Sequence, residues 1–237
     1  MGREEGQEVV NHLYRFPHIP HLAWLGDGEP RDDKVLSPGE ARELLAGEVA
    51  VEEKLDGANL GFSVSADGKL RAQNRSHYVE EPYAGQFGRL RSWFPAHEEL
   101  LTEALGPDLV AFGEWCAARH SLTYQHLPDW WLLFDVYDRR EQRFWSTARR
   151  NQWATKVRVA TVPTLNRGKF SPQDLAQMLE DGGSAFSTGP LEGVVVRADD
   201  AAWLTARAKL VRANFTQSIE SHWRARALEW NRLREIE

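Results

Sequence analysis

At Val49 the polarity of the chain begins to alternate with a period of two. Val49, Val51 and Glu53 fall on one face, and Ala50, Glu52 and Lys54 on the other, as a strand requires and a helix does not permit. The alternation stops at Leu55-Asp56-Gly57 and returns from Leu60 to Ser65 and from Leu70 to Gln73. Between the last two runs, Ala66-Asp67-Gly68-Lys69 carries the Asp-Gly pair of a tight hairpin turn. Leu109 to Trp115 and Trp130 to Tyr137 read as buried strands, and Val194 to Arg197 and Ala206 to Arg212 as shorter ones.

Helices are predicted around these strands. Ser37-Pro38-Gly39-Glu40 and Ser171-Pro172-Gln173-Asp174 place a Ser cap, a Pro at the first helical position and an acid three residues after the cap. Residues 84–105 and 146–157 also read as helical, the former interrupted at Pro95. Ile219, Trp223, Trp230 and Leu233 recur at helical spacing and predict an amphipathic helix in the tail. The lead-in from His12 to Pro38, with prolines at 17, 20, 30 and 38, is expected to be irregular. The pattern is α+β, with mostly antiparallel strands and helices packed outside. One domain is expected over 1–216, lead-in included, with a short helical tail over 217–237 and too little chain after residue 212 for an OB-fold.

Composition narrows the class. Asp and Glu number 35 against 29 Lys and Arg, so the net charge of −6 argues against nonspecific coating of nucleic acid and leaves room for a local basic groove. The longest apolar run, Trp130 to Phe134, is far short of the roughly 20 residues that span a bilayer, so no membrane partner is expected. The N-terminus is acidic without an apolar core, so no signal peptide is expected, and one cysteine, Cys116, allows no intrachain disulfide. A cytoplasmic location follows as the default expectation. His18 and His21 have no further ligands close by for zinc, and no phosphate-binding Gly-x-x-x-x-Gly-Lys-Ser/Thr loop exists.

Glu53-Lys54-Leu55-Asp56-Gly57-Ala58-Asn59 lies where a strand breaks into a glycine turn. Alone, Lys-x-Asp-Gly is as compatible with a solvated strand end as with chemistry. Four more motifs follow in order: Arg75 after the hairpin, Phe112-Gly113-Glu114, the strand ending Phe134-Asp135, and Glu192-Gly193-Val194-Val195-Val196-Arg197 followed by Arg207-Ala208-Lys209. This series, over residues 51–212, resembles the covalent nucleotidyltransferase superfamily of ATP-dependent RNA and DNA ligases and capping enzymes. Within it the chain is most similar to RNA ligases of the phage T4 RNA ligase 2 type. Ala118-Arg119-His120-Ser121-Leu122-Thr123-Tyr124 and Leu127-Pro128-Asp129-Trp130-Trp131 are similar to bacterial members.

The resemblance implies an ATP-grasp-like nucleotidyltransferase fold of antiparallel sheets flanked by helices. It implies ATP and Mg²⁺ or Mn²⁺ as cofactors, and RNA with a 5′-phosphate and a 3′-OH as substrate. RNA end-healing enzymes are candidate partners. Lys54 is then the nucleophile toward ATP. A lysine is protonated at neutral pH, so it needs desolvation or nearby positive charge to lose its proton. Asp56 is expected to accept a hydrogen bond from the Lys54 amine or orient it through water, and Gly57 to let the backbone approach the ligand. Glu53 and Asn59 are expected in the nucleotide site, Asn59 on phosphate oxygens or a metal-bound water. Arg75 would hold a phosphate as a bidentate fork. Glu114 would bind the ribose hydroxyls, Phe134 would stack on adenine, and Glu192 would hold the metal through water. Arg207 and Lys209 share strand parity and would both face the α-phosphate, with the essential contact left open between them. His77 and His120 lie beside the motifs as candidate RNA contacts. Other readings of the same residues are a nucleotide- or RNA-binding module without catalysis, a GTP-dependent capping-type or DNA-sealing enzyme, and a glycosidase using Glu114 and Glu192. The last leaves Lys54 unexplained.

Overall fold

The computed structural model describes residues 12–27, 30, 34–213, 215 and 228–235. In chain order the strands are β1 (Val49–Lys54), β2 (Ala58–Val64), β3 (Leu70–Gln73), β4 (Tyr78–Val79), β5 (Leu109–Trp115) and β6 (Trp131–Asp138). They continue with β7 (Arg143–Phe144), β8 (Ala160–Thr161), β9 (Thr164–Gly168), β10 (Gly193–Asp199) and β11 (Leu204–Val211). The helices are α1 (Pro38–Leu44), α2 (Leu90–Leu105), α3 (Thr147–Val157) and α4 (Pro172–Asp181). Two sheets result, one in the order β11-β10-β1-β9, the other β4-β3-β2-β5-β6-β7 with β8 paired in parallel to β6. All other pairings are antiparallel.

Local sequence explains the helix starts. Ser37 and Ser171 each accept a backbone N–H from the third helical residue, and Glu40 and Asp174 return a bond to the cap backbone. Pro95 does not interrupt α2, which runs through it; the expected 84–105 helix instead divides before Leu90, with a separate short 3₁₀ turn at Gly85–Phe87. Packing decides in its favour: Leu90, Trp93, Leu101 and Leu105 anchor the helix on both sides of the proline. That core lies on the outer face of the larger sheet, where Trp93 stacks on Phe62 with ring centroids 5.0 Å apart. On the smaller sheet, Val49, Val51, Val194, Val196, Ala208 and Leu210 pack against Leu44 of α1 and Leu175 and Leu179 of α4.

The alternate residues of the smaller sheet are charged: Glu52 and Lys54 on β1, Arg197 on β10, Arg207 and Lys209 on β11. Three of these five, Glu52, Arg197 and Arg207, close into a buried ionic cluster between the sheets. Arg150 of α3 donates to both oxygens of Glu52, at 3.1 and 2.5 Å. Arg197 donates to Asp135 of β6 at 2.8 Å, and Arg207 donates to the other Asp135 oxygen. The Arg207 guanidinium also lies over the rings of Phe16 and Phe144, 4.7 and 4.3 Å from their centroids. Mutual pairing is what lets these charges stay dry.

The expected tail helix is corrected where the structure describes it. Ile219 and Trp223 lie outside the described residues. Residues 228–235 are extended, with Trp230 bridged to Ala118 and Leu233 to Leu127. Their side chains remain partly exposed, while Asn231 between them is buried. The backbone groups of residues 117–127 have no strand partner of their own there, and an extended segment can satisfy them where a helix cannot. Among the described residues no helix is long and apolar enough to cross a membrane.

Candidate active site

Lys54 ends β1, opposite Gly193 in the β1–β10 ladder. The ladder carries it two residues beyond Glu52 of the ionic cluster, to the end of the strand. Its side chain is 28% exposed, and Nζ donates to Glu192 Oε1 at 2.6 Å. Lys209 lies two strands away on the same face of the sheet and adds positive charge near Glu192.

Asn59 and Glu114 face one another in the β2–β5 register, directly after the turn. Glu114 Oε1 accepts the Gly57 N–H at 3.0 Å. A Cβ on Gly57 would meet the Trp115 carbonyl oxygen at 2.6 Å, so the glycine is required by the close pass of β5 rather than by a ligand. Asp56 also differs from expectation. Its Oδ2 accepts the backbone N–H groups of Ser121 and Leu122, both at 2.6 Å, and its own N–H donates to Tyr124 Oη at 2.8 Å. These contacts tie the turn to the 116–127 loop, and Glu192 takes the lysine amine in its place.

Burial pushes the carboxyls of Glu114 and Glu192 up to about 7, with the Lys54 charge pulling both back down. Burial also disfavours the Lys54 ammonium, but Glu192 and Glu114 outweigh it and raise the lysine pKa. The site therefore holds Lys54 as an ammonium. The sequence reading asked for desolvation or nearby positive charge to free the amine; burial acts in that direction, and Glu192, Glu114 and Asp56 oppose it.

Two buried oxygens of the expected site residues beside Lys54, Glu192 Oε2 and Asn59 Oδ1, have no hydrogen-bond partner, and neither has Glu53 Oε1 on the opposite face of β1. Glu53 Oε2 accepts the Ala185 N–H at 2.9 Å. Buried acceptors left in this state fit a cation or the donors of a ligand. Among the described residues no group of three His, Cys, Asp or Glu forms a metal cage. One or two protein oxygens with waters is a donor set that suits Mg²⁺ or Mn²⁺ on phosphates.

The remaining expected residues divide. Arg75 follows β3, is exposed, and is close enough to act on the Glu114 charge. Phe134 is half-buried, with its ring edge-on to Phe16 at 5.2 Å. Arg207 does not join the Lys54 cluster, because Asp135 and the two phenyl rings hold it in the ionic cluster. His120 sits at the cleft, 2.8 Å from Gln86 Oε1, its pKa lowered by burial with Asp56 and Lys54 nearby. His77 is held in an exposed turn, its N–H donating to Asn74 Oδ1 at 2.9 Å. Tyr124, Asn231 and the Glu52–Arg150 pair were not singled out from the sequence. Tyr124 lies within the segment whose resemblance was noted, but an Arg on an amphipathic helix carries no sign of burial.

A sequence model of the RNA ligase family matches residues 47–211, more than two thirds of the chain. The chain belongs to the RNA ligase family. No curated protein matches it in sequence. In solved structures this RNA ligase family member is similar to a Naegleria gruberi RNA ligase with ATP and Mn, at a TM-score of 0.64 and 16% identity over 84% of this chain and 56% of that one. An archaeal ATP-dependent RNA ligase aligns at 0.56 and 20% identity, over 84% of this chain and 48% of that one. An ATP-dependent DNA ligase from Aquifex aeolicus, described as putative, aligns at 0.55 and 22%, over 86% and 51%. These likenesses show a shared nucleotidyltransferase fold. The chain spans about half the length of the structures it matches.

Proposed function

We propose that this chain is an ATP-dependent RNA ligase that works through a lysyl-AMP intermediate on Lys54. The observation that carries the reading is the Lys54–Glu192 pair at 2.6 Å, with the charges of Glu114 and Lys209 nearby and unsatisfied buried acceptors on Glu192 and Asn59. Lys54 must first lose a proton, and Glu192 Oε1, 2.6 Å from Nζ, is placed to accept it. Nζ then attacks the α-phosphorus of ATP; an N–P bond forms, and the bond to pyrophosphate breaks. An oxygen of the RNA 5′-phosphate displaces Lys54 from AMP, and a 3′-OH then displaces AMP to leave a phosphodiester.

Lys209 offsets charge on the α-phosphate, and exposed Arg75 receives a phosphate of ATP or RNA. Glu114 meets the ribose hydroxyls, Phe134 the adenine face, and Glu53 Oε1 a donor of the nucleotide. Glu192 Oε2 and Asn59 Oδ1 would hold Mg²⁺ or Mn²⁺ with its waters, which supplies positive charge against the phosphates. RNA end-healing enzymes are the partners this reading implies, since they would supply the 5′-phosphate and 3′-OH ends.

The test is transfer of label from α-labelled ATP to protein. Acid-labile, alkali-stable label is expected on the native chain and none on Lys54→Ala or Lys54→Arg, because a guanidinium is not an amine nucleophile. Label on either variant removes Lys54 as the nucleophile. Labelling by GTP and not by ATP would favour a capping-type enzyme. A panel of nicked RNA, hybrid and DNA duplexes then reads the polynucleotide.

A further inference from the structure

We infer that Asn231, near the C-terminal end of the chain, is a positioning residue for lysine adenylylation, acting through the loop that holds the Lys54 turn. The inference rests on the proposed ligase reading.

Asn231 is 2% exposed, in an extended segment that is otherwise largely exposed. Its side chain makes three hydrogen bonds, all to one loop. Oδ1 accepts the Tyr124 N–H at 2.9 Å, and Nδ2 donates to the carbonyls of Cys116 and Ala118 at 2.8 and 3.2 Å. One side-chain amide thus closes both ends of the stretch from 116 to 124. The backbone of the segment adds bonds on either side, from Asn231 N–H to the Ala117 carbonyl and from Arg232 N–H to that of Tyr124, at 2.9 and 3.0 Å.

The same stretch grips the Lys54 turn from its other side. Ser121 and Leu122 donate to Asp56 Oδ2, and Tyr124 Oη accepts the Asp56 N–H. Tyr124 therefore donates its backbone N–H to Asn231 and accepts the Asp56 N–H on its hydroxyl oxygen. Residues 116–130 contain no helix or extended strand to hold this shape by themselves. Loss of the Asn231 amide leaves three buried backbone groups unpaired, and the loop relaxes to find partners. The Asp56 turn moves with it, and a displacement on the order of 1 Å at a nucleophile can cost on the order of 100-fold in rate.

The side chain does not touch the cleft, so its effect is on rate and not on nucleotide affinity. In single-turnover adenylylation of the full chain with Mg²⁺ and ATP, Asn231→Ala is expected to slow label transfer at saturating ATP by at least about tenfold, with half-saturation within about twofold. Tyr124→Phe should slow it too, and the double variant should be no slower than Asn231→Ala within about twofold, since both act through one loop. Full rate in Asn231→Ala, a change confined to ATP half-saturation, or multiplicative losses in the double variant would each overturn the inference. If Asn231→Ala does not fold, Asn231→Asp, which keeps the acceptor and loses both donors, is read by the same criteria. A native chain that takes no label defeats the ligase reading itself, and is distinguishable because no variant is then involved.

Discussion

Asp135→Asn isolates the charge at the centre of the ionic cluster. The side chain keeps its size, so no cavity forms. In the native cluster three guanidiniums, Arg150, Arg197 and Arg207, pair with two carboxylates, Glu52 and Asp135. Arg197 retains Glu52 at 3.7 Å after the change, but Arg207 loses its direct counter-ion while buried. Breaking a buried pair by removing one partner costs about 3–5 kcal/mol. A domain of this size is stable by about 5–15 kcal/mol, so the loss is a large share of the total. With a urea slope of about 2–3 kcal/mol per molar, the unfolding midpoint should fall by about 1–2.5 M. The melting temperature should fall by about 6–20 °C, at about 2–4 °C per kcal/mol. Asp200→Asn is the control: it breaks an Arg143 pair at 3.4 Å with both side chains nearly half exposed, and should leave the midpoint in place. A midpoint shift under about 0.3 M for Asp135→Asn, at unchanged slope, would refute the argument that this cluster clamps the two sheets.

Further outcomes separate chemistry from scaffold. Lys209→Ala should lower ATP-dependent labelling at least about 100-fold with little change in melting, and Arg207→Met should do the reverse, lowering melting while leaving labelling within a few-fold below it. Gly57→Ala should destabilise by about 1–3 kcal/mol in urea titration, because the added carbon meets the Trp115 carbonyl at 2.6 Å. A stable Gly57→Ala chain would show that the turn is free to move. Glu114 and Glu192 bind protons near pH 7 when folded, against an ordinary value of 4.5. The folded state therefore holds more protons than the unfolded one between those values, and melting temperature should rise as pH falls from 8 to 5.5. His97, raised, acts in the same direction and His120, lowered, opposes it. Glu192→Gln should flatten the rise; an unchanged slope would place the titration elsewhere.

Most of the fold was legible in the residues because its signals are local. A Ser-Pro-x-acid start, an Asp-Gly turn and a period of two are satisfied within a few residues, and the structure puts helix, hairpin and β1 where they fall. The order of motifs from Lys54 to Lys209 likewise placed the chain in its family before any contact was known. The tail shows the limit of that reading: Trp230 and Leu233 keep helical spacing, but backbone groups of Ala117, Arg119, Tyr124 and Leu127 bond to the backbone of residues 229–234 and hold that stretch extended. Charge partners were also out of reach. Strand parity put Arg207 and Lys209 on one face, yet not which carboxylate each meets. Asp135 takes one into a dry cluster, and Glu192 lies near the other at the open end. Sequence spacing carries direction along an element; the depth of a side chain and the charge opposite it are set by segments distant in sequence, which meet it only when the chain folds.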